Sequence, residues 1–481
     1  MAEPRQVPLS PQPLARYRDL LGADFEPIQT AAESARMALG GRTIWNVNST
    51  ARGGGVAEML RAYLPYVLDA GVDTRWIVLQ EEPAFFLLTK RIHNRLHGDP
   101  GDGGPLGEAE LAAYRDWLAD SAERLSARVS PGDVVLLHDP QTAGLVPAMK
   151  AAGARVIWRC HIGVDQSNEL ALEAQNLLAG LVGEADGCVF SRPGYAWADL
   201  DPTRIAVIPP GIDPFTPKNQ PIRMDDVAGV LGRIGLGDGR QRPSPVFSRP
   251  DGTTDEVMRT GRILQELRLP DEVPLVVQVS RWDRLKDHGG LLTLFSRDLV
   301  NAEAHLALVG PDSAGVDDDP EGAAVYGEIA TRWEQLPPEM RRRIHLVSLP
   351  MDDLDENAFM VNAIQRRADV IVQKSLAEGF GLTVSEGMWK SRAMVASRIG
   401  GIQDQIEDGR SGILIDDPHD LPAFAGAIDS LLADPALSAR LGDCAYERVR
   451  SGLLSVHRLL RHYELIERLL DPGRVEGARS D

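Results

Sequence analysis

The chain has 481 residues, 43% of them hydrophobic and 25% charged, which is ordinary for globular protein and long enough for two or three domains. A formal net charge of −19 argues against nucleic acid and anionic membrane as partners, and no apolar run approaches the ~18 residues that cross a bilayer. Cys160, Cys188 and Cys444 lie far apart with no C-x-x-C, so they read as reduced thiols; together with a polar N-terminus lacking a signal peptide's apolar core, they point to the cytoplasm.

Residues 1–40 begin polar and proline-bearing and then turn helical, so they read as an arm packed on the first domain. From 43 onward strands are expected at 43–49, 74–80, 133–139, 154–162, 186–191 and 204–212, with helices such as 56–71 and 108–129 between them. The glycine-rich stretch 98–108 reads as a flexible loop. Residues 213–273 are dense in proline and glycine and read as a linker with a surface hairpin turning at PDGT, 250–253. A second alternation follows, with strands at 274–281, 305–310, 344–350, 369–375, 393–399 and 412–417. The chain is helical from 421 to about 470 and ends in a tail expected to be disordered.

Strands separated by amphipathic helices imply parallel sheets covered on both faces. The expected fold class is therefore α/β: two Rossmann-like doubly wound domains facing across a cleft. The boundaries read as 1–212, a linker at 213–273, 274–450, and a helix from 451 returning to the first domain.

Four motifs could carry chemistry. In 48–60 the glycines Gly53, Gly54 and Gly55 lie between a strand and a helix, where bare backbone and a helix start suit an anion; a plain glycine turn is about as good a reading. In 278–292 a strand ends on Arg281 and Lys286, a guanidinium fork and an ammonium that suit a diphosphate, although Asp283 and Asp287 stand beside them. Two apolar strands end on His138 and Asp139, and on His161 and Asp165; their spacing is not that of a metal site, and hydrogen-bonded core histidines are an alternative. In 368–390 a buried strand, the turn EGFG and a helix start hold Glu378 and Glu386, with Gly379, Phe380, Gly381, Leu382 and Thr383 offering backbone amides. Caps and glycine turns would produce the same pattern. Gly400 and Gly401 follow a further strand, with Gln403 and Asp404 after them. Only six of the 51 basic residues are lysines, and Lys286 and Lys374 fall inside the two best motifs.

The spacing E-x7-E around EGFG resembles the retaining nucleotide-sugar glycosyltransferases with two Rossmann-like domains, the GT-B family that includes sucrose and glycogen synthases. Over about residues 40–470 the chain is most similar to the trehalose glycosyltransferring synthases, through WNVNST with GGGVAEML, HDPQTAGL, RCHIGVD, VIPPGIDP, QVSRWDRLKD and VQKSLAEGFGLTVSEGMWK. The resemblance implies transfer of glucose from a nucleoside diphosphate glucose to free glucose, giving α,α-trehalose with retention. It implies Arg281 and Lys286 on the diphosphate, Glu378 on donor sugar hydroxyls, Glu386 on the ribose, and His161 and Asp139 by the sugar. It implies no required cofactor, although a divalent cation such as magnesium stimulates some relatives, and it suggests a homodimer. A retaining trehalose phosphorylase, a two-carboxylate glycoside hydrolase and a non-catalytic sugar or nucleotide binder are the competing readings.

Overall fold

The computed structural model describes residues 4–51, 55–238, 244–312 and 320–471. They form two compact units, the first ending at Ile212 and resuming at Leu454, the second running from Asp213 to Leu453. The sequence positions Gly53 and Gly54 and the C-terminal tail lie outside the described residues.

The first unit is built on seven strands: β1 (Arg5–Val7), β2 (Ile44–Asn48), β3 (Thr74–Val78), β4 (Val134–His138), β5 (Arg155–Cys160), β6 (Gly187–Phe190) and β7 (Ile205–Val207). Their order across the sheet is β1-β3-β2-β4-β5-β6-β7, all parallel except the edge strand β1, which runs antiparallel to β3. The central strands IWNVN and VVLLH are buried along their whole length, as a sheet covered on both faces requires. β1 was not legible, because three residues of an edge strand carry no periodicity; Arg5–Val7 acquire their structure by pairing with Trp76–Val78.

The arm is tied to the helix Gly55–Asp69, the Gln12 amide donating to Pro65 O at 3.1 Å and the Leu14 amide to Asp69 Oδ2 at 2.8 Å. The helix Ser455–Leu470 packs against the helices Glu26–Leu39 and Gly55–Asp69. Its start is fixed by the Ser455 amide on Ile212 O at 2.8 Å and by Tyr17 Oη at 3.1 Å from Ser455 Oγ. The loop expected to be flexible, 98–108, is pinned: Arg91 reaches Asp102 at 2.6 Å and Pro105 O at 2.8 Å, and Arg95 donates to Gly104 O at 2.8 Å.

The second unit carries, ahead of its main sheet, a hairpin of β8 (Val246–Ser248) and β9 (Thr254–Glu256), turning where the sequence indicated. Its main sheet holds β10 (Arg262–Leu264), β11 (Leu275–Val279), β12 (His305–Pro311), β13 (Ile344–Leu349), β14 (Val370–Gln373), β15 (Ala393–Ser397) and β16 (Ile413–Ile415), in the order β10-β13-β12-β11-β14-β15-β16. All pairs are parallel except β10 with β13. In both sheets the strand order reverses beside the first central strand, between β2 and β4 and between β11 and β14. Ligands bind at such switch points, outside the carboxyl ends of the strands.

The reading of 213–273 as a linker needs correction. This stretch belongs to the second unit. Its helix Met224–Ile234 lies on the helix Leu354–Arg367, and Phe247 of the hairpin stacks on Phe359 with ring centroids 5.2 Å apart. Arg249 bridges Asp255, Asp353 and Asp355, and the buried Glu356 carboxylate accepts the Met258 and Arg259 amides at 2.6 and 2.7 Å as well as the Arg259 guanidinium. Proline and glycine here mark tight turns rather than slack chain. Removing the carboxylate would leave two backbone donors unsatisfied, at ~1–3 kcal/mol each for a buried group. Glu356→Ala is therefore expected to lower the urea midpoint by an amount equivalent to about 2–3 kcal/mol, and an unchanged midpoint would show that the hairpin is not integral.

Candidate functional site

The site of the second unit forms where β11, β14 and β15 end. β11 stops at Val279, and the next hydroxyl, Ser280 Oγ, lies 3.0 Å from His288 Nε2. Arg281 follows, largely exposed, with its guanidinium 3.2 Å from Asp283. Asp283 also accepts the Leu285 amide at 2.8 Å, capping a single 3-10 turn, Arg284–Lys286, that delivers Lys286. Asp287, in the left-handed region at φ 44°, caps the next helix, His288–Arg297, through the Gly290 amide at 2.8 Å.

From β14 the chain runs through Lys374 and Ser375 into the EGFG turn and then the helix Leu382–Trp389. Glu378 therefore sits on the loop and Glu386 in the helix. Gly381, at φ 79°, occupies the helix N-cap, and the first-turn amides that a helix leaves without internal partners begin at Leu382 and Thr383. Lys286 Nζ donates to Glu378 Oε2 at 2.7 Å. Two residues 92 apart in sequence, both read as ligands, are thus brought together at the switch point. Glu386 instead faces Lys218 Nζ at 3.3 Å and is itself 2% exposed.

Three buried glutamines hold these loops. Gln278 Nε2 donates to Lys286 O at 2.8 Å while its Oε1 accepts the Lys374 amide at 2.9 Å. Gln373 accepts the Thr383 hydroxyl at 3.1 Å and donates to Ser375 Oγ at 3.0 Å, and Ser375 Oγ lies 3.4 Å from Glu378 Oε2. Gln405 Nε2 reaches Phe380 O at 2.5 Å and Gly401 O at 3.2 Å, with its Oε1 accepting Ser385 Oγ. The Gly401 amide donates to Gly379 O at 3.0 Å, and a Cβ on Gly401 would stand 2.7 Å from Phe380 Cα. The glycine pair after β15 thus packs directly under EGFG. Its clamp is Gln405, the residue after Gln403 and Asp404. Lys374, fully buried, pairs with Asp287 and lies over the Phe424 ring at 5.5 Å, so it braces the turn behind Lys286.

In the first unit His138, Asp139 and His161 come together. Asp139 adopts φ 63°, accepts the His161 amide on Oδ1 at 2.7 Å and donates its own amide to Arg159 O at 2.8 Å. His138 Nδ1 lies 3.1 Å from His161 Nε2, and His138 Nε2 lies 3.4 Å from Asn46 Oδ1. Arg159, fully buried, donates to Ile208 O at 3.1 Å and to His462 Nε2 at 2.6 Å. Burial, reinforced by Arg159 and the neighbouring histidines, holds His138 and His161 well below their ordinary range. Burial pushes Asp139 up to about 7, against the pull of the His161 amide and Arg159. Asp165 is drawn away to Arg192. Among the described residues no group of three or more His, Cys, Asp or Glu could hold a metal. Gly55 opens the helix Gly55–Asp69.

Sequence reasoning missed Lys218, the three glutamines, and the Arg159–His462 pair. One signal was available. Of only six lysines, Lys218, Lys286, Lys374 and Lys390 all gather at this site of the second unit.

Comparison with known proteins bears on the family and the fold. A family model described as trehalose synthase, N-terminal domain, matches residues 46–197, and one described as glycosyl transferases group 1 matches 355–448. A trehalose synthase of Rubrobacter xylanophilus is 32% identical over 95% of this chain and 97% of its own. A trehalose phosphorylase of Pleurotus pulmonarius is 28% identical over 84% of this chain but 54% of its own length. A solved structure described as trehalose-6-phosphate from E. coli bound with UDP-2-fluoro glucose superimposes with a TM-score of 0.64 at 13% identity, over 88% of this chain and 99% of that one, and shows a shared fold, GT-B.

Buried histidines make stability fall with acidity. His138, His161, His288, His345 and His462 are all depressed by burial. An unfolded chain binds protons at these positions as pH drops below ~6.5, and the folded chain does not, so each favours unfolding by about tenfold per pH unit. Asp139 and Glu81, both raised by burial, have the opposite sign; the Asp139 contribution is full below ~4 and is lost as pH rises to about 7, but these are two groups against six depressed histidines, His305 included. The melting temperature is expected to be lower at pH 5 than at pH 7 by scanning calorimetry; a higher one would refute the neutral-histidine assignment.

Proposed function

The chain belongs to the trehalose synthase family of glycosyltransferases, and on that premise we propose that it transfers glucose from a nucleoside diphosphate glucose to the anomeric hydroxyl of free glucose, forming α,α-trehalose with the donor configuration retained. Family membership makes it a hexosyltransferase. The observation that carries the finer reading is the contact of Lys286 Nζ with Glu378 Oε2 at 2.7 Å on the switch point. A cation suited to a diphosphate and a carboxylate suited to sugar hydroxyls meet there, which is what a molecule carrying both groups on one anomeric carbon needs.

In this scheme the bond from the anomeric carbon to the phosphate oxygen breaks as the acceptor hydroxyl oxygen bonds to that carbon. The acceptor's proton passes to the leaving diphosphate oxygen on the same face, which accounts for retention. Arg281 and Lys286 stabilise the charge growing on the diphosphate. Glu378 and the amides of Gly379–Thr383 hold sugar hydroxyls, and Glu386 holds the ribose. By the resemblance, His161 in the first unit orients the donor sugar, with Asp139 as a further substrate-binding residue. A second reading, favoured by the phosphorylase relative, puts inorganic phosphate on Arg281 and Lys286.

Incubation with glucose and each of UDP-, ADP-, GDP- and dTDP-glucose should yield a non-reducing disaccharide and free nucleotide with at least one donor. Release of glucose 1-phosphate from trehalose and phosphate, without nucleotide, would establish the second reading instead. Lys286→Ala and Arg281→Ala should each lower kcat/KM by tens-fold or more, for ~2–4 kcal/mol per lost charged contact; near-wild-type values in both would remove the diphosphate assignment. Gly401→Ala should lower kcat/KM by roughly tenfold or more, because its Cβ displaces the backbone of EGFG and misplaces Glu378. Unchanged kinetics in that variant would mean that the loop tolerates the shift.

A further inference from the structure

Lys218 lies in the short loop that opens the second unit, Asp213–Gln220, and both of its neighbours are fixed by the rest of that unit. Asn362 Nδ2 donates to Pro217 O and to Gln220 O, each at 2.9 Å. Trp389 Nε1 donates to Asn219 O at 3.1 Å, and Lys390 Nζ donates to Asn219 Oδ1 at 3.0 Å. Asn219 Nδ2 closes the loop on Asp213 O at 2.9 Å. A segment held this tightly aims its side chain, and the Lys218 ammonium stands 3.3 Å from Glu386 Oε1.

The carboxylate it meets is almost wholly enclosed: the Glu386 side chain is 3% exposed and that of Lys218 19%. An ionised carboxylate so far from water is costly without a counter-charge. Lys390 Nζ, close by, donates to the Glu386 backbone carbonyl at 3.0 Å. Lys390 also feels the Glu386 charge, but the ammonium paired with the carboxylate oxygen is that of Lys218. A carboxylate has about four lone-pair positions, so one taken by an ammonium leaves room for two hydroxyl donors.

We propose that Lys218 is a positioning residue for nucleoside recognition: its ammonium keeps Glu386 ionised and turned so that the carboxylate accepts both hydroxyls of a ribose cis-diol. This rests on the nucleotide-sugar reading above and adds to it a residue through which ribose is told from deoxyribose. Lys218 acts through Glu386, so its effect disappears where Glu386 can no longer accept two hydrogen bonds as an anion.

The test uses the full chain and isothermal titration calorimetry with UDP, ADP and GDP and their 2′-deoxy counterparts. The wild type is expected to prefer a ribonucleotide. Lys218→Met should weaken the preferred ribonucleotide by roughly tenfold, the equivalent of one modest polar contact, and bring it level with the 2′-deoxy analogue. Lys218→Arg should keep most of the preference. In a Glu386→Gln background, Lys218→Met should add little further loss, because the two residues act as one unit. Lys218→Gln, expected to behave as the methionine variant, serves should that one fail to fold. Unchanged discrimination in Lys218→Met, or an equal loss with and without Glu386, would overturn this inference alone. A wild type that binds none of the six nucleotides would overturn this inference, and one that also turns over none of the four sugar nucleotides above would overturn the nucleotide reading as well.

Discussion

Buried irregular backbone has to find hydrogen-bond partners, and this requirement shapes the site of the second unit. Where β11, β14 and β15 end, the chain leaves the sheet ladder but stays inside the protein. The carbonyls of Lys286, Phe380 and Gly401 and the amide of Lys374 are answered by the side chains of Gln278 and Gln405. A glutamine amide suits the task because it donates and accepts at once and brings no charge into the interior. Each glutamine joins segments distant in sequence, so the R-x4-K turn, the EGFG turn and the glycine pair after β15 form one framework. Fixed loops are what a transferase needs if its charged groups are to be in place before the charge in the reaction develops.

Electrostatics impose a second demand. A chain of net charge −19 nonetheless collects cations locally in this part of the second unit. It does so with lysines, each held against an acid: Lys286 on Glu378, Lys374 on Asp287 and Lys218 on Glu386. Arg281 remains exposed beside Asp283. Pairing fixes these long side chains and removes much of the cost of keeping charge out of water. These residues are therefore partners of one another, and removing one leaves the other misplaced as well as alone.

The first unit solves the problem in the opposite way. The ends of β4 and β5 bring His138 and His161 close to the buried Arg159, which also holds His462 of the helix Ser455–Leu470, and burial keeps all three histidines well below their ordinary range. Arg159 donates to His462 Nε2, so the proton of that ring lies on Nδ1 and goes to Arg458 O at 2.8 Å. The acceptor Asn46 Oδ1 puts a proton on His138 Nε2, leaving His138 Nδ1 to accept from His161 Nε2. The tautomers of His138 and His161 are thus linked to each other, while the helix Ser455–Leu470, remote in sequence, places His462 on Arg159 and closes the core.

The sequence alone determined the two strand–helix alternations, the position of the hairpin, and the placing of Glu378 on a loop and Glu386 in a helix, because apolar runs of strand length and glycine turns are local signals. It also indicated Arg281, Lys286, Asp139 and His161, which follow immediately after or close to the ends of strands. It did not determine β1 and β10, whose three residues each become strands only by pairing with a longer neighbour. Nor could it distinguish 213–273 from a linker, since proline and glycine mark tight turns and slack chain alike. Lys218 opposite Glu386, Lys286 against Glu378 and Gln405 beneath EGFG were decided by tertiary structure. A hydrogen bond or ion pair depends on where two side chains end in space, and parallel crossovers set that distance without leaving any trace in sequence spacing.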